Sequence, residues 1–181
     1  MRHTTRFSII LTCLILLLGM TSIQAQGRTL YDSITVNELD PEPALAWMDL
    51  LYDRVWHELV SAPGGARLYG YGAVAFYTAL LPGMPSNYSL NGQLNNFPQV
   101  PYPIDTNELD WLSVVNGTMS TVMVEMFAKG SDETIQLISN LRSQQKSARI
   151  DATSFDIVEN SLRYGDEVAQ YIIEWMNSDG F

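Results

Sequence analysis

Cysteine and histidine are almost missing from this chain, and their scarcity excludes several kinds of site. The 181 residues include one cysteine, Cys13, and two histidines, His3 and His57. Cys13 and His3 fall in an N-terminal stretch that we expect to be removed, so the exported chain would have neither a disulfide nor a thiol nucleophile. His57 alone cannot supply the two-histidine or cysteine-based ligand sets of zinc sites.

Basic residues are also scarce. Ten Lys and Arg face 20 Asp and Glu, which gives a formal net charge of -10. An acidic surface repels phosphate backbones and anionic headgroups, so we expect no nucleic-acid partner and no binding to anionic lipid.

Residues 1–25 have the layout of a secretory signal peptide. A basic segment at 2–6 precedes the almost wholly apolar run 7–23, and Ala25 is a small residue at the cleavage position. The alternative is a retained membrane anchor, because the run is close to the shortest that spans a bilayer, roughly 17 residues. We favour cleavage, and expect an exported protein, periplasmic or extracellular, with no membrane association afterwards.

The rest of the chain predicts an all-α domain of about five helices in orthogonal or bundle-like packing. Apolar residues recur at helical spacing, and no alternating strand pattern of useful length occurs. We expect residues 26–42 to be an extended lead-in and residues 43–181 to form a single domain. The expected helices are Ala44–Val60, Pro63 to about Leu81, a helix from a capping box at Asp105 and Glu108 to Lys129, one capped at 131–133, and Asp151–Met176.

The helix from Pro63 is unusually rich in small residues. Glycine costs about 1 kcal/mol against alanine inside a helix, so this composition predicts close packing on several sides and a central position. The small residues are Gly64, Gly65, Ala66, Gly70, Gly72, Ala73, Ala75 and Ala79.

A long Pro/Asn-rich loop follows at residues 82–105. Its prolines forbid a continuous helix or a central strand. A loop of this length is either functional or packed down as a structural wrap.

Few residues are candidates for catalysis, and the chain has no P-loop, dinucleotide fingerprint, nucleophile elbow or HExxH motif. His57 and Glu58 are neighbours on one helix and point about 100° apart, so a surface histidine is the favoured interpretation. Carboxylates in the first turn of a helix are stabilised by the helix dipole, which suffices to explain two of the three acid pairs. The third pair lies mid-helix and is expected to be solvated. An acid-dependent hydrolase that uses the first pair stays open. The acid pairs are Glu108 with Asp110, Asp132 with Glu133, and Asp166 with Glu167.

Arg67 lies among small residues that we expect to be buried. A buried guanidinium needs carboxylate or carbonyl partners, so an ion pair between helices is favoured over an oxyanion contact. Tyr69, Tyr71, Phe76 and Tyr77 on the same helix could line a pocket, although core packing is the more common role.

Several residues in order along the chain carry a family resemblance. They are Pro63, Ala66-Arg67, Tyr69-Gly70-Tyr71, Tyr77, the loop Ser89-Leu90-Asn91-Gly92-Gln93-Leu94-Asn95, Trp111, Gly165, Val168-Ala169, Ile172, Trp175 and Asp179-Gly180. In this order they resemble the N-terminal helical half of bacterial exported proteins related to vanadium-dependent haloperoxidases and type 2 phosphatidic acid phosphatases. The resemblance covers essentially the whole chain after the signal peptide.

The resemblance implies an all-α fold whose phosphate or vanadate site lies in a second helical bundle. That site uses K-x6-R-P, P-S-G-H and S-R-x5-H-x3-D motifs, in which cations hold the oxygens and histidines act as nucleophile and proton carrier. None of these motifs occurs in the 181 residues, and neither Lys129 nor Lys146 begins the first. We therefore assign no catalytic, cofactor-binding or metal residue here, and expect vanadate or phosphate only in the catalytic half.

Two functions follow as expectations. The first is the exported scaffold half of such a protein, separated by a stop codon or a split gene from a catalytic half that would be its partner. The alternative is a stand-alone exported helical module that binds a partner or ligand without catalysis. Whether the chain takes part in an enzyme therefore stays open at this point.

Overall fold

The computed structural model describes residues 36–106 and 108–178, except the side chain of Asn37. Every regular secondary-structure element of the described residues is a helix, which confirms the predicted all-α class. The expected signal peptide and most of the expected lead-in lie outside these residues. The helices are α1 Glu42–His57, α2 Ala62–Leu80, α3 Trp111–Met126, α4 Asp132–Ala152 and α5 Phe155–Ser178, with 3-10 turns at Val36–Glu38 and Leu81–Gly83.

Serine side chains cap two of these helices as their sequences indicate. Ser61 Oγ accepts a hydrogen bond from the Gly64 amide at the start of α2, at 3.4 Å. Ser131 Oγ accepts one from the Thr134 amide at the start of α4, at 3.3 Å. Each bond satisfies an amide that has no partner within its own helix.

The predicted start of the third helix is wrong. Helix α3 begins at Trp111, and its cap is Asp110, whose carboxylate accepts from the Ser113 amide at 3.0 Å. The expected capping box at Asp105 and Glu108 does not form, and Glu108 lies outside the helix. The irregular segment is therefore longer than the expected loop 82–105.

The predicted start of the last helix is also wrong. Helix α4 continues to Ala152, residues 153–154 are not helical, and α5 begins at Phe155. Ser154 Oγ accepts from the Ile157 amide at 3.3 Å and caps the new helix. In this first turn the side chain of Phe155 is 58% exposed.

The central helix is α3, and the prediction that the glycine-rich helix occupies this place is wrong. Twelve of the 16 residues of α3 are buried, against eight of the 19 in α2. Helix α2 does approach α1 closely, since a Cβ on Gly72 would lie 2.5 Å from the Leu51 side chain. The largest fully buried side chains around α3 are Trp47, Leu51, Met119, Met123, Ile138 and Ile172.

Helices α3 and α5 cross with their backbones in contact. A Cβ on Gly117 would lie 2.5 Å from the Leu162 carbonyl oxygen, and one on Gly165 would overlap the Val114 carbonyl. Thr118 Oγ1 donates to the Gly165 carbonyl at 2.9 Å, which strengthens the crossing.

The contacts between α3 and α5 follow both helices in the same chain direction. The Asp110 amide donates to Ser161 Oγ at 2.8 Å, and further along Thr121 Oγ1 donates to Asp166 Oδ1 at 2.6 Å. The two helices are therefore parallel. Helix α4 returns the chain between them, since its Arg142 contacts Asp166 and its Arg149 contacts Asp110.

Among the residues that the structure describes, no helix is both long and apolar enough to cross a membrane.

Replacing Gly165 by alanine should destabilise the protein. The added Cβ meets backbone atoms of α3, which cannot rotate away, so we expect the free energy of unfolding to fall by about 1 to 3 kcal/mol. The control is Gly70→Ala, where a Cβ meets nothing within 4 Å and alanine should add about 1 kcal/mol. Urea unfolding of both variants measures the difference, and equal effects would contradict the backbone contact.

Candidate functional site

The one histidine-acid neighbour pair forms no catalytic unit. His57 is exposed, and its Nε2 lies 3.4 Å from Asp53 Oδ1 one turn earlier, as expected of a surface histidine. Glu58 turns the other way and accepts from the amide and hydroxyl of Ser131, at 3.0 and 2.5 Å, and from the Thr134 hydroxyl. Glu58 thus ties the end of α1 to the start of α4.

The acid pair of Glu108 and Asp110 is divided between two environments. Asp110 is buried, and its two oxygens accept from Arg149 Nε and Nη2 at 3.0 and 2.7 Å. Glu108 is exposed outside the helix and Asp110 is the cap before its first turn, so the prediction that both lie in a first turn is wrong. Both oxygens of Asp110 are already engaged by the cap and the guanidinium, which leaves the hydrolase hypothesis without structural support.

The pair at 166–167 also differs from its prediction. Asp166 was expected to be solvated, but both its oxygens accept from Arg142, at 2.9 and 2.8 Å. Arg142 Nη1 also donates to Ser120 Oγ at 2.6 Å. Asp132 and Glu133 lie in the first turn of α4, where their position agrees with the dipole argument.

Arg67 and the nearby aromatic residues do not line one pocket. Arg67 is half-buried, not buried as expected, and its Nη2 donates to Tyr71 Oη at 2.7 Å. Tyr69 stacks on Tyr52 of α1, with ring centroids 6.2 Å apart. Tyr77 Oη donates to the carbonyl of Tyr88 in the loop at 2.8 Å. These side chains point to three different neighbours and serve packing.

Residues 89–97, the amide-rich part of the long loop, form hydrogen bonds among themselves, and we call them the amide-rich loop. Asn91 Nδ2 donates to the Phe97 carbonyl at 3.0 Å, and Gln93 Nε2 donates to the Ser89 carbonyl at 2.6 Å. Gly92 adopts a φ of 75°, the left-handed conformation that glycine tolerates best. These bonds fit a structural wrap, one of the two roles expected for the whole loop, although most side chains of the segment are exposed.

Helix α5 holds this loop through Trp175. Trp175 Nε1 donates to the Asn95 carbonyl at 3.0 Å. The indole ring lies edge-on to Phe97 and to Tyr71, with centroids 5.1 and 5.6 Å apart. Three segments that are distant in the chain therefore meet at one side chain.

A groove between the second part of the loop and α5 is a concave candidate site. It has a volume of about 800 Å³ and is lined mainly by residues 100–105, 108 and 109 and one face of α5. Tyr164 Oη donates to the Pro101 carbonyl across it at 3.1 Å. Burial raises the pKa of Tyr164 well above its usual value, with smaller effects from Tyr102 and Glu167, so the phenol stays protonated.

The sequence reasoning missed this groove. Its tyrosines come from the loop and α5, and Tyr164 and Tyr171 share a helix face because they are seven residues apart. That spacing was a signal in the sequence, but the partner loop could not be inferred from it. The ion pairs of Arg54, Arg142 and Arg149 were missed as well. The acidic partners of Arg142 and Arg149 become their neighbours only in the folded chain. The partner of Arg54 is the adjacent Asp53, which belongs to no periodic pattern.

The described part of the chain contains no group of three or more His, Cys, Asp or Glu that could hold a metal ion. Comparisons with models of protein families, with curated proteins and with solved structures found no match.

Glu58 should make the stability depend on pH in the acid range. Hydrogen bonds from the Ser131 hydroxyl, the Thr134 hydroxyl and the Ser131 amide lower its pKa from 4.5 to about 2. The carboxylate therefore stabilises the fold fully above pH 4.5, and this contribution disappears as the pH falls towards 2.

The measurement is the melting temperature of the wild type and of Glu58→Gln between pH 7 and pH 2. We expect the wild type to melt higher at neutral pH and the two curves to converge in acid. The matched control is Glu125→Gln, an exposed carboxylate on α3, which should follow the wild type. A constant gap at all pH values would contradict the role given to Glu58.

Trp175→Ala should release the loop. Removing a large, partly buried ring typically costs about 2 to 4 kcal/mol, here from lost contacts with Tyr71 and Phe97 and one lost hydrogen bond. We expect faster proteolysis within residues 84–110. Trp56→Ala, at a 65% exposed position, is the control and should leave the cleavage rate unchanged.

Proposed function

We propose that this chain is the exported helical scaffold half of a protein related to vanadium-dependent haloperoxidases and type 2 phosphatidic acid phosphatases, without catalytic activity of its own. One observation carries the proposal. Residues that carry the resemblance and are distant in sequence make contact around Trp175.

The contacts are those of a scaffold. Tyr71 of α2 touches Trp175 of α5 edge-on, and the Asn95 carbonyl of the amide-rich loop accepts from its indole nitrogen. Gly165, another residue of the resemblance, is where α5 touches the backbone of α3. Each of these residues has a packing role, which explains why a related scaffold would need the same residue type at that place.

The positions of the cations support the absence of independent catalysis. An oxyanion site needs preorganised cationic donors directed at the space that the oxygens will occupy. Three arginines of this domain are directed at carboxylates instead. They are Arg54 with Asp53, Arg142 with Asp166, and Arg149 with Asp110.

The alternative function is a stand-alone exported binding module, and the groove beside α5 favours it. Its volume of about 800 Å³ is within the range of roughly 300–1,000 Å³ that small-molecule sites occupy. Tyrosines, prolines, carboxylates and Arg163 line it, so it offers stacking surfaces, hydrogen-bond acceptors and one cation.

Vanadate binding tests the lack of an oxyanion site. We expect the purified chain to leave the ⁵¹V NMR signal of vanadate unchanged and to show no phosphatase activity, because three of its arginines cannot turn to an oxyanion without breaking their ion pairs. Saturable broadening of the signal at one vanadate per chain would contradict this.

The partner tests the scaffold role itself. A tagged chain recovered from its native exported fraction should carry a second polypeptide with the K-x6-R-P, P-S-G-H and S-R-x5-H-x3-D motifs. Vanadate binding should appear in that complex and be absent from either part alone. Recovery of the chain as a cooperatively melting monomer, with no such polypeptide, would contradict the scaffold role and favour the binding module.

A further inference from the structure

The outward side of the α1–α2 pair is an apolar surface that no other described segment covers, and we call it the outer face. On α1, Leu45, Tyr52 and Trp56 recur at helical spacing and are 46, 57 and 65% exposed. The stacked rings of Tyr52 and Tyr69 join the two helices across this surface. The α2 part consists of the exposed residues Ala62, Ala66, Gly70 and Ala73.

Gly70 shows that the α2 part is built for close approach. A Cβ on Gly70 would meet nothing within 4 Å, whereas one on Gly72 would lie 2.5 Å from Leu51. Glycine costs about 1 kcal/mol against alanine at such a position. No contact of the described residues offsets that cost at Gly70. A neighbour outside the described chain that touches the α2 backbone would explain it.

The outer face is as large as the largest apolar patch of a typical monomer. Tyr52 and Trp56 together expose roughly 250 Å². With Leu45 and the methyl groups of α2, the surface falls in the range of roughly 300–600 Å² that the largest patch of a typical monomer covers, a patch that is often functional.

The charges beside the outer face select the partner. Glu42, Asp49 and Asp53 follow the neighbouring edge of α1 at i, i+7 and i+11, and all three are exposed. Arg54 and His57 contact Asp53 and offset part of this charge. A second copy of this chain, with its net charge of -10, would bring like charges together, whereas a partner with basic flanks would be attracted.

We propose that the outer face binds an amphipathic helix of another protein, one whose apolar side is flanked by Lys and Arg. The small residues of α2 let the two backbones approach, Tyr52 and Trp56 pack along the side of the incoming helix, and the carboxylates of α1 pair with its basic flank. This binding surface is independent of the proposed scaffold role, because it depends only on the side chains of this chain.

The test uses two fluorescein-labelled synthetic helical peptides with the same Leu/Ala side. One is flanked by Lys and the other by Glu. Fluorescence anisotropy with the purified protein should show saturable binding of the Lys-flanked peptide, at least about tenfold tighter than that of the Glu-flanked one, and weaker at high salt. Absence of saturable binding by the Lys-flanked peptide would overturn the proposal.

Gly70→Leu separates docking from general attraction to an acidic protein. The new side chain enters open space, so the variant should fold, and its melting curve checks this. It should weaken the Lys-flanked peptide by at least about tenfold. Ala148→Leu, at an exposed position on α4, adds the same side chain elsewhere and should bind like the wild type.

Two outcomes would overturn the assignment. Equal binding by the wild type, Gly70→Leu and Ala148→Leu would show attraction to the acidic surface alone. Sedimentation of the free protein as a dimer that Gly70→Leu dissociates would assign the outer face to a second copy of this chain.

Discussion

At the crossing of α3 and α5 two backbones touch, and the other contacts of the domain are arranged around that approach. Gly117 and Gly165 make it possible, because a Cβ on either one would overlap the opposite main chain. Because neither glycine has a side chain, Thr118 Oγ1 is close enough to donate a hydrogen bond to the Gly165 carbonyl. This packing places α3 at the centre, where its residues are buried on nearly every side.

The parallel orientation of α3 and α5 requires a helix that returns the chain, and α4 is attached to both by ion pairs. Arg149 neutralises the buried cap Asp110 at the start of α3, and Arg142 pairs with Asp166 of α5. Asp110 is buried, so removing Arg149 would leave its charge uncompensated in a region of low dielectric, whereas Arg142 and Asp166 are partly exposed. The same bonds direct these two guanidinium groups away from any oxyanion.

The long loop gains its order from α5. Trp175 holds the amide-rich part, and Tyr164 holds the proline-rich part through the Pro101 carbonyl. One helix therefore positions both the structural wrap and the groove beside it. The outer face of α1 and α2 lies apart from these contacts, which is why the domain can keep its fold while that surface is uncovered.

Local chemistry explains where prediction from the sequence worked and where it failed. Helical periodicity, with local start signals near residues 61 and 131, placed three of the five helices well, since those signals act within one turn. The capping signal at Asp105 fails, because Asp110 is the cap in the folded chain, where Arg149, 39 residues away, also binds it. The resemblance to the haloperoxidase-related family stays a prediction, since the comparisons found no match.

The sequence by itself determined the helical class, the irregular proline-rich loop, the lack of thiol chemistry after the expected signal and the absence of the three catalytic motifs. Only the tertiary structure decided which helix is central, which carboxylates are paired and which apolar surface is uncovered. The glycines show the physical reason. Gly70 and Gly165 are both glycines within apolar helices, yet one faces open space and the other touches a backbone. Periodicity tells which side of a helix is apolar or small, but what covers that side is set by the packing of the whole chain.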